Sequence, residues 1–421
     1  MAQAGLLDRL YTDLCTSDWR VRWLDRLVPQ LLKRGVIRTV CGRCAPGIAN
    51  EKIDTFPMYA VMQHLQAKRR GLGPADLYGG YVRGNRRFGE LVVRRGLGEA
   101  DAVYVFNGAG LEILRHARER GMRTIVDQTM APVSVVERLL DEERERWPGW
   151  ENVSGGAVID GRPFWRELAD REEAEWQLAD QIICGSPYVV DSVGQASGPA
   201  VRCAVVPYGY ESASSASTRE LDDGAVAEQK ARPMRVLFVG TIGLRKGVPD
   251  LMQAAKLLKN ENVEIRAVGP VHISAHAAEQ LGKWVELTGA VPRAEVARQY
   301  AWADVLVLPT LAEGSANVCY EAMAQGCPVI TTSNAGSVVR DEVDGYLVPI
   351  RSPELLAERI AAISHDPEKR RAMGRSAQER MADYTWSVYG RRLVQTITTE
   401  DNQLSSGDHS EAAVIGEDGE G

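Results

Sequence analysis

The chain reads as an α/β protein made of two halves, each with its own parallel sheet. Three observations predict this. Short, unbroken apolar runs recur along the 421 residues. Each run is closed by a Gly, Pro or polar turn and followed by a helical stretch, the pattern of strands buried on both faces. The series is interrupted once, at 211–232 (ESASSASTRELDDGAVAEQKAR), where apolar periodicity gives way to Ser, Ala and charge, as in a linker or long surface loop.

The elements follow in order. The opening MAQAGLLDRLY reads as the end of a helix. Eight basic residues and two acids lie between Lys68 and Arg95, which reads either as a solvated basic face or as a patch for anionic lipid. Strands are expected at 102–106, 123–127, 181–185 and 203–207, with helices over Leu111–Arg120 and Val135–Arg146. After the break, strands are expected at 234–240, 264–269, 285–289, 304–309, 328–332 and 345–350, and amphipathic helices at 353–364 and 367–383. From about residue 400 the chain is polar, acidic and Gly-containing, a composition that predicts disorder.

Composition narrows the function. The net charge of −7 gives no general basis for nucleic-acid binding. There is no apolar run of the ~18 residues a membrane-crossing helix needs. The N-terminus lacks the charged, apolar, small-residue order of a signal peptide, so a cytoplasmic location is expected. Cys41 and Cys44 form a lone CxxC, read as a structural loop, and the six histidines show no metal-ligand spacing.

Two segments carry chemistry. In FVGTIGLRKGVPDL (238–251) a strand ends at Gly240, and a turn through Thr241 and Gly243 presents Arg245 and Lys246 beside a helix start near Val248 or Pro249. Free N–H groups with two cations suit a diphosphate. In VLVLPTLAEGSANVCYEAMAQGCPVI (305–330) strand, turn, helix and strand follow one another, and Glu313 and Glu321 bracket the turn. Glu321, inside the helix, could accept from two vicinal hydroxyls, as acids do at a ribose. Between the acids, Gly314, Ser315, Ala316 and Asn317 are small or polar, so an anion can approach the backbone closely.

The Glu313-x7-Glu321 spacing, the run EAMAQGCPVITT, the FVG…RKG turn and the closing DGYLVP resemble the family-four glycosyltransferases. GSPYVVDSV (185–193), VVPYGYE (205–211) and WSVYGRRLVQTI (386–397) are similar to that family's interdomain crossover segments. The resemblance implies a GT-B fold, two Rossmann-like parallel-sheet domains facing across a cleft. It divides the chain into an acceptor-side domain (1–208), a linker (209–232), a sugar-nucleotide domain (233–385), a crossover helix (386–399) and a tail (400–421). It also implies metal-independent, anomer-retaining transfer of a sugar from a nucleoside diphosphate to a glycan, lipid or small-molecule acceptor, with no cofactor beyond the donor substrate. Arg245 and Lys246 would hold the diphosphate, Glu321 the ribose and Glu313 the transferred sugar. Gly240, Thr241, Gly243, Gly314, Ser315, Ala316 and Asn317 would line the donor. The basic stretch Lys68–Arg95 would allow peripheral contact with the inner membrane face.

Three positions depart from the family pattern. Thr241 stands where an Arg usually follows FVG. Gln128 stands where a His usually follows the RTIVD strand, leaving at most a backbone or amide contact to the sugar on the acceptor side. The expected first strand and its Gly-containing loop are missing ahead of MAQAGLLDRLY. A non-catalytic sugar-nucleotide-binding subunit and a sugar-nucleotide epimerase stand as the alternatives.

Overall fold

Two parallel sheets organise the chain. The computed structural model describes residues 1–13, 15, 45, 47–60, 62–63, 74–151, 158–159, 162–163, 165–210 and 232–405. Cys41, Cys44 and Lys68–Arg70 lie outside the described residues, as do 211–231 of the linker and 406–421 of the tail.

The first domain contains β1 (Leu10–Thr12), β2 (Ile53–Thr55), α1 (Pro74–Arg95), β3 (Ala102–Phe106), α2 (Leu111–Glu119), β4 (Arg123–Gln128) and α3 (Val133–Arg146). These are followed by β5 (Val158–Ile159), β6 (Arg162–Pro163), α4 (Arg166–Leu178), β7 (Gln181–Cys184), α5 (Pro187–Gln195) and β8 (Cys203–Val205). The main sheet runs β3-β4-β7-β8, and β1 and β2 form a separate parallel pair. Leu10–Thr12 is thus a strand where the sequence reads as a helix end. Its residues pair with Ile53–Thr55, and the Tyr11 hydroxyl donates to the Gly96 carbonyl.

Helix α4 escapes a sequence reading because its buried face is mostly charged: Ala169, Arg171, Glu172, Glu175 and Trp176. Hydrophobic periodicity cannot register such a face. Helix α1 carries the described part of the basic stretch. There Arg86 and Arg87 pair with Glu90, and Arg95 pairs with Asp54.

The second domain contains β9 (Met234–Val239), α6 (Val248–Leu257), β10 (Val263–Val268), α7 (Ala275–Gly282), β11 (Glu286–Gly289), α8 (Arg293–Trp302) and β12 (Val305–Leu308). It continues through α9 (Asn317–Ala324), β13 (Val329–Thr332), β14 (Gly345–Val348), α10 (Pro353–His365) and α11 (Pro367–Arg380). Its sheet runs β11-β10-β9-β12-β13-β14, all parallel. Winding therefore reverses between β9 and β12. In doubly wound sheets ligands bind outside the carboxyl ends of the strands at this reversal. Both segments singled out from the sequence follow these two strands.

The chain returns through α12 (Trp386–Ser405), which runs past the expected boundary at 399 into the stretch expected to be disordered. Leu393 and Ile397 bury against Ile125, Ile183 and Val206 of the first domain. The outgoing and returning segments lie side by side, with Tyr210 N–H donating to the Tyr384 carbonyl at 2.8 Å.

The interdomain contact is extensive. Val136, Leu140 and Trp150 of the first domain join the second domain's core. Arg351 donates to Glu143 at 2.5 Å and to Glu142 at 2.6 Å. Ser186 Oγ donates to the Gly314 carbonyl at 2.6 Å, and Ser274 N–H to the Trp150 carbonyl at 2.6 Å.

Candidate functional site

The site grows from two loops meeting at the reversal point. After β9, Gly240 (φ 144°) turns the chain beside the Lys246 side chain, and Gly243 leads into a short 3₁₀ turn, Leu244–Lys246. Gly247 ends that turn at φ 68° and caps α6. A Cβ there would lie 1.8 Å from the Pro309 carbonyl oxygen, so both conformation and space require glycine. The close approach locks the loop after β9 to the loop after β12. Leu311 N–H donates to the Arg245 carbonyl at 2.8 Å, and Thr310 Oγ1 donates to the same oxygen at 3.0 Å.

This lock brings the charges together. Arg245 and Lys246 each lie 2.6 Å from Glu313 Oε1, and Thr310 Oγ1 donates to that oxygen at 3.1 Å. Arg245 also donates to the Ala312 carbonyl at 2.8 Å, while Glu313 N–H donates to Asn334 O. Glu313 and Lys246 are largely shielded from solvent, so their interaction is less screened than a surface pair. Two cations from one loop and an acid from the other thus converge at a single point.

Glu321 is held apart from this group. Its carboxylate accepts the Tyr300 hydroxyl at 2.8 Å, and burial, followed by the Glu321 charge, raises the Tyr300 pKa, so that hydroxyl stays protonated. The small residues between the acids serve different ends. Ala316 N–H is committed to the Ala335 carbonyl at 3.0 Å, which removes it as an anion donor. Ser315 Oγ pairs with the Tyr320 hydroxyl at 2.7 Å. Exposed Asn317 opens α9, where first-turn N–H groups have no intrahelical partner. Thr241 is half-buried. Gly314 is one of the interdomain contacts: a Cβ there would sit 1.8 Å from the Thr129 carbonyl oxygen of the first domain.

Gln128 does not reach the acceptor side. It is fully buried; its Nε2 donates to Met130 O at 3.0 Å, and its Oε1 accepts Trp176 Nε1 at 2.9 Å. As the last residue of β4 it points into the first domain, so its amide has no free atom for a sugar.

Behind it lies a network that sequence reasoning missed. Buried Glu172 accepts from Asn107 Nδ2, Gln128 Nε2 and Val133 N. Buried Glu175 accepts from the N–H groups of Gly108 and Gly110. The only sequence signal is the charge density of REEAE.

Burial pushes the Glu175 carboxyl up to about 7. A folded value above the unfolded one means this group's stabilising contribution is complete at acid pH and is lost as pH rises through about 7. Asp250, pushed to about 6 by burial and then by Glu143, adds slope in the lower part of that range. Thermal melts between about pH 5 and 8 should show the midpoint falling with pH. Glu175→Gln should lower the midpoint overall, because its Nε2 must face one of the two glycine N–H groups, and should flatten the slope. An unchanged slope would remove Glu175 as the titrating group.

No three His, Cys, Asp or Glu side chains gather as a metal site among the described residues. Among them, also, no helix is long and apolar enough to cross a membrane.

Comparison with known proteins places this geometry. Residues 233–366 match the model of the family described as glycosyl transferases group 1. D-inositol 3-phosphate glycosyltransferase of Segniliparus rotundus is 32% identical over 167 residues, covering 36% of this chain and 37% of that protein. The putative colanic acid biosynthesis glycosyltransferase WcaL of Escherichia coli K12 is 29% identical over 184 residues, covering 40% and 45%. The chain thus spans less than half the length of these two curated relatives. Among solved structures, Anabaena Alr3699/HepE in complex with UDP aligns with a TM-score of 0.54 at 17% identity, over 74% of this chain and 82% of that one. Sucrose-phosphate synthase from Thermosynechococcus elongatus aligns with a TM-score of 0.53 at 21% identity, over 78% and 79%. The two facing parallel-sheet domains have the GT-B fold of these neighbours, and the second of them carries the stretch that matches the glycosyl transferases group 1 model.

Proposed function

We propose that the protein is a glycosyltransferase that takes a sugar from a nucleoside diphosphate and passes it, with retained anomeric configuration, to a hydroxyl acceptor. One observation carries the reading. Arg245 and Lys246 converge within 2.6 Å of a common oxyanion, Glu313 Oε1, at the reversal point of a doubly wound sheet. Cations that reach one carboxylate oxygen can also reach the oxygens of a diphosphate, and the amides opening α9 add a helix-start field.

In this reading Arg245 and Lys246 stabilise the negative charge that builds on the leaving diphosphate. Glu313 orients the sugar and Glu321, steadied by Tyr300, takes the ribose. The acceptor hydroxyl attacks from the face the diphosphate leaves, and a phosphate oxygen takes its proton, so no protein nucleophile is needed. The relatives named as glycosyltransferases, and the neighbour solved with UDP, support a sugar-nucleotide donor.

The acceptor reading favoured here is lipid-linked. A groove of about 550 Å³ beside α1 is lined by Phe56, Met58, Met62 and Leu91 and edged by Arg83 and Arg87. Apolar floor and basic rim suit an anionic lipid.

Incubation with UDP-, GDP- and ADP-sugars should release nucleoside diphosphate from one class, faster with anionic-lipid vesicles present. Nucleotide affinity without release under any acceptor would make the chain a binding subunit. No affinity for any of the three would end the reading, and indifference to vesicles would end its lipid part.

A further inference from the structure

The first domain's buried carboxylate Glu172 has no place in the chemistry above, yet it ties together two strand ends and a helix start that face the cleft. It is 3% exposed. Its Oε1 accepts Asn107 Nδ2 at 2.7 Å, from the end of β3, and Gln128 Nε2 at 3.3 Å, from the end of β4. Its Oε2 accepts Val133 N at 2.9 Å, the first amide of α3.

Two chains of contact lead from these bonds to the donor loops. Asn107 Oδ1 accepts both Thr129 N (3.1 Å) and Thr129 Oγ1 (2.9 Å), and the Thr129 carbonyl is the atom that Gly314 abuts. Two residues on, Ala131 N–H donates to the Glu313 carbonyl at 3.4 Å. By the other route, α3 packs directly on the Leu244–Lys246 turn.

We propose that Glu172 is a positioning residue for sugar transfer: its carboxylate sets the Asn107–Thr129 strand end and the start of α3, and through them the seat of Glu313, Arg245 and Lys246 against the first domain. The inference rests on the glycosyltransferase reading. It requires a carboxylate and not merely a polar side chain, because donors arrive at both oxygens. In Glu172→Gln the amide nitrogen must face either Asn107 Nδ2 and Gln128 Nε2 or the Val133 N–H, and the bonding on that side is lost as donor meets donor. Flipping Asn107 only moves the conflict to Thr129 N–H, one contact closer to Gly314.

The same logic supplies a rescue. In N107D/E172Q the amide nitrogen introduced by the second substitution donates to the carboxylate introduced by the first. That carboxylate still accepts from Thr129, while the introduced amide oxygen accepts the Val133 N–H, and the bond left unmade is the 3.3 Å one from Gln128 Nε2. Turnover, donor KM, melting midpoint and calorimetric affinity for UDP, GDP and ADP would be compared across wild type, E172Q, E172D and N107D/E172Q.

E172Q should lower kcat about 10–100-fold with nucleotide affinity unchanged, since the nucleotide contacts lie in the second domain. E172D, with the charge but not the reach, should also lose kcat, and the double variant should regain most of it. Wild-type kcat in E172Q, or a folded double variant no more active than E172Q, overturns the inference. If E172Q does not fold, E172D and the double variant decide it, and full activity in E172D overturns it. A wild-type chain that binds none of UDP, GDP and ADP and releases none of them overturns the underlying reading instead.

Discussion

Glu313→Ala should reduce turnover by about 10²–10³-fold, the scale of losing one preorganised electrostatic contact in an active site. Nucleoside diphosphate binding should be kept or tightened. The second part follows from the geometry. Arg245 and Lys246 both lean on Glu313 Oε1 at 2.6 Å, so removing the carboxylate frees two cations for phosphate while taking away the group proposed to orient the sugar. Glu313→Gln should behave alike, because a neutral amide matches the shape but not the charge. Steady-state rates and calorimetry separate the two effects. Turnover near the wild-type value in Glu313→Ala would remove Glu313 from the chemistry, and a large loss of nucleotide affinity would mean the acid organises the cations and does not compete with the ligand for them.

Gly314→Ala should be nearly as damaging, for a steric reason. The added Cβ would lie 1.8 Å from the Thr129 carbonyl oxygen and 2.9 Å from Met130 Cα. Both are backbone atoms of the opposite domain, so no side-chain rotation relieves the clash. Either the domains part or the loop carrying Glu313 bends. Overpacking of this kind costs about 1–3 kcal/mol of stability, and a displacement of about 1 Å at the reacting groups costs about 10²-fold in rate. Gly390→Ala, in α12 with nothing within 4 Å of the added methyl, is the control and should be neutral or slightly stabilising. Gly314→Ala with wild-type kcat and melting midpoint would show that the contact is not tight in solution.

Much of the second domain was legible because its strands are buried on both faces and its helices between them are amphipathic, so periodicity and turn residues agree. The two loops proposed to hold the donor were legible as charged loops for a related reason. Arg245, Lys246 and Glu313 stand at strand ends, where a charged residue has no packing purpose. The first domain was harder. Its helix α4 buries Arg171, Glu172 and Glu175, so its buried face reads in sequence like that of a solvated surface helix. Strand β1 is three residues long, too short for alternation to show. Gln128 illustrates the limit for single residues: its place at a strand end was readable, but the direction of its side chain depended on Trp176 and Met130, which only folding brings near.

The amino-acid order by itself determined the two parallel-sheet halves and the pair of loops that carry charge, since these rest on local pattern and turn chemistry. Tertiary structure decided which charges meet. Glu313 joined the cations while Glu321 went to Tyr300, Ala316 spent its amide on Ala335, and Gly314 became a backbone contact between domains. The physical reason is that convergence depends on the sheet's reversal between β9 and β12 and on how two domains press together, and neither is written in any local stretch of residues.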